Sequence, residues 1–134
     1  MGKGKLPRKR DNKKMKELKF YTLEEMKEYY DKKSKTYQFY GDDGTACSVS
    51  ILFNLEDPNA KILCHNLSCF DIHVNTITAW DIDACFMVSN QIIAHNIDAV
   101  DIFSHKLIII NDGEINAWGN IRCDSIVWER LTNW

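Results

Sequence analysis

The chain has 134 residues, 45% of them hydrophobic and 27% charged, with a formal net charge of −2. That length points to one domain with enough apolar residues for a core, and 2 prolines with 6 glycines exclude collagen-like or low-complexity character. No apolar run approaches the ~20 residues of a bilayer span, and no apolar segment of a secretory signal follows the basic N-terminus, so the expectation is a cytoplasmic protein with no membrane partner.

The net charge conceals an asymmetry. Residues 1–36 hold 13 Lys/Arg against 6 Asp/Glu, whereas residues 37–134 hold 4 against 13. This pattern reads as a basic arm on an acidic body. Residues 1–19 are too polar and too like-charged to offset the entropy of ordering, which predicts a disordered basic tail. Lys3, Lys5, Arg8, Lys9, Arg10, Lys13 and Lys14 in that tail are candidates for contacting nucleic-acid phosphates.

Thr22-Leu23-Glu24-Glu25 has capping-box spacing, in which Thr22 and Glu25 satisfy each other's backbone donors. Leu23, Met26, Tyr29 and Tyr30 follow at helical spacing, which predicts a short amphipathic helix over 23–34. Gly41-Asp42-Asp43-Gly44 marks a turn between two apolar stretches. Val49, Ile51, Phe53 and Leu55 alternate as a strand does, and Asp57-Pro58-Asn59 ends it. Residues 20–60 are thus expected to form a helix-plus-strand capping region, ahead of a different pattern over 61–134.

That pattern is a repeat of five. Large aliphatic residues stand at Ile62, Leu67, Ile72, Ile77, Ile82, Met87, Ile92, Ile97, Ile102 and Leu107. Two residues after each comes an uncharged and mostly small one: Cys64, Cys69, Val74, Ala79, Ala84, Ser89, Ala94, Ala99, Ser104 and Ile109. Asn or Asp often precedes the large residue, as at Asn66, Asp71, Asp81, Asn96 and Asp101. A period of five matches neither a helix nor a plain alternating strand. It suits an all-β solenoid whose sides are five residues long, with large and small residues inward and Asn or Asp at the corners. Four such sides would make a coil of about 20 residues, stacked at the inter-strand spacing of roughly 4.8 Å. The count slips at Asn111–Glu114 and again at Gly119, each reading as a loop or bulge. The tyrosine-rich helix is expected to cap one end of the stack, with Trp128, Arg130 and Trp134 closing the other.

With these residues in view, the chain resembles the pentapeptide-repeat proteins, firmly over 62–110 and loosely over 115–134. In this sequence the small residue precedes the large one by three positions, as in Ala79-Trp80-Asp81-Ile82, where the family has two. The resemblance implies a right-handed parallel β-helix with a quadrilateral coil. For some members it also implies inhibition of DNA-handling enzymes by imitation of DNA, which suggests an inhibitor of that kind from a mobile element.

The five cysteines are an odd number with no Cys-x-x-Cys pair, so free thiols are expected. A coil of about 20 would stack His65, Cys85 and His105 in one column, yet a straight column without a fourth ligand makes a poor zinc site. No metal or cofactor is expected. There is no Gly-x-Ser-x-Gly, phosphate-binding glycine loop or His-Glu-x-x-His, and an interior filled by Ile and Ala leaves no convergent pocket. The reading is a non-enzymatic interaction protein. Its candidate protein-binding residues are Trp80, Asp81, Asp83, Asp98 and Asp101, with Asp81 and Asp101 on one column and the aromatics exposed beside them. Alternatives are nucleic-acid binding through the tail, or a self-assembling solenoid forming homo-oligomers by end or face stacking.

Overall fold

The structure, a computed structural model, describes residues 16–41 and 44–131. The chain runs through β1 (Glu17–Phe20), the single-turn helix α1 (Leu23–Met26), a 3-10 turn (Lys27–Tyr29), β2 (Tyr30–Asp31), β3 (Thr36–Gln38), β4 (Ser48–Ile51), β5 (Leu55–Leu63), β6 (Asn66–Cys69), β7 (Asp71–Thr78), β8 (Asp81–Ala117) and β9 (Ile121–Glu129). Apart from the short antiparallel β2–β3 pair, the strands pair in parallel. Together they form a parallel β-solenoid of about 5 turns, averaging about 18 residues per turn.

Burial follows the five-residue rule throughout. All ten large positions from Ile62 to Leu107 are at most 2% exposed, and all ten paired positions from Cys64 to Ile109 at most 7%. One turn alone would leave these side chains in water; stacking turns puts like on like and supplies the core.

The pairing register corrects the expected coil. Leu67 lies beside Ile82 and Ile72 beside Met87, a step of 15 residues. The regular central turns therefore have three five-residue sides, where four sides and about 20 residues had been suggested by the period. The period fixes the length of a side and is silent on how many sides close a turn. The interior of these three-sided turns is lined by large residues alternating with Ala, Cys or Ser, all buried. Turns lengthen towards both ends: Val49 lies beside Leu67, and Ile102 beside Ile121, steps of 18 and 19.

Two further expectations change at the N-terminal end. Residues 17–19, assigned to the disordered tail, belong to β1, which pairs Leu18 with Val49 and Phe20 with Ile51. Residues 1–15 lie outside the described residues, and so do all seven of the basic candidates from Lys3 to Lys14. The capping box forms as expected, with Thr22 and Glu25 each accepting from the other's backbone N–H. The helix, however, stops at Met26 and the chain becomes extended at Tyr30. Tyr29 and Tyr30 are drawn instead into an aromatic cluster with Phe20, Tyr37 and Phe39, at ring separations of 4.7–6.3 Å. That cluster and the fully buried Met26 cover the N-terminal end of the core.

The slip at 111–114 is a tight excursion, with Asn111 and Asp112 at φ 52° and 61°. Gly113 then passes so close to the His95 carbonyl that no Cβ could be accommodated.

Candidate interaction surface

A step of 15 places different residues in register from those a step of 20 would. One corner of the solenoid carries His65, Trp80 and His95. Trp80 is 4% exposed and stacks on the His95 ring at 4.2 Å, while His95 Nδ1 meets the Ile110 carbonyl at 2.9 Å. The expectation that Trp80 is an exposed contact residue is therefore corrected: it packs with Ile110, Ile93 and Ile108 in a small second apolar cluster. Its place at a corner, with a neighbouring ring available one turn above, is what lets so large a side chain fold back onto the solenoid. His65, Cys85 and His105 fall on three separate corners and form no column.

The acidic candidates separate in the same way. Asp81 stands in line with Ser48, Asn66 and Asn96 on the outer face of the β1–β4–β6–β8 side, and accepts from Asn96 Nδ2 at 3.0 Å. Asn66 donates to Ser48 Oγ at 3.1 Å in the same ladder. The neighbouring line carries Lys19, Ser50, Ser68, Asp83 and, one step on, Asp98. Glu17, Asp81, Asp83 and Asp98 line one shallow groove together with the serines and asparagines, and the exposed Lys19 stands beside Ser50 at its β1 end. Asp101 is elsewhere. It lies on the adjacent side, where its carboxylate accepts from the Asn120 backbone N–H at 2.7 Å and anchors the slip around Gly119. Asp81 and Asp101 do not share a column, because 20 residues is not a whole number of turns here.

Between the acidic side and its neighbour runs an exposed corner made by Phe70, Cys85 and Val100. Trp118 continues it, its backbone N–H bonding the Ala99 carbonyl at 3.0 Å while the ring stands in solvent. Phe86 and Phe103, 5.1 Å apart, flank this corner on the far side, with the Arg122 guanidinium 5.8 Å from the Phe103 ring centre. Trp118 was missed in the sequence because it falls within the slipped region, where the five-residue count gives no position. A corner assignment needs the count on both sides of the slip.

None of the five cysteines is in a disulfide. Burial pushes the Cys69 thiol up to about 12, and it pushes that of the wholly buried Cys64 higher still. Cys85 is exposed at the apolar corner. Among the described residues no cluster of three His, Cys, Asp or Glu could hold a metal ion, and no helix is long and apolar enough to cross a membrane.

The molecule thus presents a polar, acid-rich sheet face bordered by an exposed apolar corner. No family model, curated protein or solved structure matches this chain.

Proposed function

We propose that this chain is a non-enzymatic protein-interaction module. Its acidic face and the adjoining apolar corner together receive a basic segment of a partner protein that also carries apolar side chains. The observation that carries this reading is the juxtaposition of Asp81, Asp83 and Asp98 in one groove, beside the exposed Phe70, Val100 and Trp118. Exposed aromatic residues next to a field of one sign are the mixture that protein interfaces use for anchoring and steering.

Imitation of DNA is the less favoured form of this reading. Duplex DNA carries one charge per ~1.7 Å of axis, whereas turns here follow at roughly 4.8 Å. Several positions on the acidic face are Ser or Asn. The likeness to pentapeptide-repeat proteins is extended to the spacing of inward residues alone, since the three-sided coil departs from a quadrilateral one. Nucleic-acid binding remains a second reading, favoured by the 7 Lys/Arg against 1 Asp in residues 1–15.

The test is capture of partners by the wild-type chain and by two surface variants, Asp83→Lys/Asp98→Lys and Phe70→Ala/Trp118→Ala, with mass-spectrometric identification. A partner retained by a Lys106→Ala control, lost by both variants and weakened by salt supports the reading. A partner that ignores both variants overturns it.

A further inference from the structure

We propose that the C-terminal end of the solenoid is a docking surface for a second copy of this chain, the two joined end to end about a two-fold axis. The last turn keeps the inward pattern of the turns above it, but among the described residues nothing packs beneath it. Ile102, Leu107 and Ile109 are wholly buried, while the residues paired beneath them, Ile121, Ile126 and Trp128, are 41%, 40% and 60% exposed. These are core positions open to water. Trp128 does not fold over the end as a cap, and the Arg130 guanidinium is engaged instead with the Asp112 carboxylate.

β9 also presents an edge. Eight of its 9 residues pair with β8 on one side, and among the described residues nothing pairs with the other. A long strand edge above exposed apolar side chains is a template for another chain, and natural solenoids usually protect such an end with a polar cap.

The occupant follows from the two ends being unlike. The N-terminal end is covered by Met26 and the Phe20–Tyr29–Phe39 cluster, so it offers no open core for a second copy's C-terminal end. Head-to-tail growth is thereby blocked. Two C-terminal ends can meet, and a contact between identical surfaces closes about a two-fold axis. The charges on β9 suit that arrangement. Arg122 and Asp124 flank Cys123, and both are exposed; Asp124 Oδ2 also meets His105 Nδ1 of the turn above at 2.9 Å. In an antiparallel pairing centred on Cys123, each Arg122 faces the second copy's Asp124, and opposite charges directly across strands are stabilising. The same register brings the two Cys123 residues together. One small end-on contact sits at the low end of interface sizes, so the association is expected to be concentration-dependent.

Sedimentation velocity on the full chain, from low to high micromolar concentration, tests this. The expected result is a doubling of sedimenting mass, lost in Ile126→Glu and Trp128→Glu with the β circular dichroism unchanged. A short bismaleimide linker should then join two chains through Cys123 in a Cys85→Ser background. Both glutamate positions are already solvent-exposed, so the variants test docking with little risk to folding. Three outcomes overturn the proposal. One is a monomer at every concentration, including one whose β9 amides exchange slowly because residues 132–134 cover them. Another is a dimer that survives both glutamates. The third is a series of masses beyond the dimer, which would mean open-ended stacking.

Discussion

Ile82 and Ala94 show how little freedom an inward position has. Both are essentially inaccessible to solvent, so Ile82→Ala should leave a cavity costing about 2–5 kcal/mol. Ala94→Leu should overpack its site at a cost of about 1–3 kcal/mol. Asp83→Asn, on the outer face, should leave thermal stability nearly unchanged. Comparable losses from all three, measured by chemical denaturation, would mean the inward register is wrong. Trp80→Ala belongs with the core group: its ring stacks on His95 beneath a buried Ile110, and truncation should cost about 3–5 kcal/mol. Thiol chemistry gives a second check. Cys85 should label rapidly in the native protein, and Cys47, Cys64 and Cys69 only after unfolding. Burial pushes Cys69 up from 9.0 to about 12, and burial followed by the Asp57 carboxylate pushes Tyr37 up from 10.0 to about 12. The unfolded chain therefore loses these protons first. Stability is full below pH 9 and declines as pH rises towards 12. A melting temperature flat from about pH 8 to about pH 11 would contradict that burial.

Individual elements show where local signals compete with packing. Thr22 and Glu25 make the capping box that their spacing announces, yet the helix they start lasts one turn. The apolar spacing of Leu23, Met26, Tyr29 and Tyr30 satisfies a helix and a cap equally well. The cap wins because Tyr29 and Tyr30 gain aromatic partners on Phe20, Phe39 and Tyr37, contacts that a continued helix would forgo. Gly113 is the position at which the slipped segment rejoins the stack. Gly113→Ala should displace the segment from the His95 backbone and destabilise the last turn, whereas Gly44→Ala meets no atom and should cost only the strain of its positive φ. Hydrogen exchange localised to residues 113–129 would separate such a local loss from global unfolding.

For the molecule as a whole, the N-terminal boundary decides what can be removed. Deleting residues 1–15 takes away 7 Lys/Arg and 1 Asp, moving the formal charge from −2 to −8. It leaves β1 in place on β4, so the melting temperature should barely move. Any salt-dependent binding to DNA or RNA should disappear with it, since phosphate contacts dominate that affinity. Deleting through Phe20 should be far more damaging, because β1 covers the β4 edge and Phe20 belongs to the N-terminal aromatic cluster. Equal melting temperatures for the two truncations would show that β1 contributes nothing to the cap.

The solenoid itself was legible in the residues, because a repeat of five that alternates large, small and polar leaves few ways to bury its apolar half. Every inward position from Ile62 to Ile109 could be read from that count. So could the breaks at Asn111–Glu114 and Gly119, where the count fails. What the residues could not convey was the number of sides to a turn, since a period specifies one side and the closure depends on how all sides fill a common interior. Every question about neighbours hangs on that number. It separates Asp81 from Asp101, unites Asp83 with Asp98, scatters the His65–Cys85–His105 column and places Trp80 over His95 rather than in solvent. Side-chain chemistry is local and visible in order along the chain, whereas stacking partners lie a full turn apart and exist only once the turn has closed.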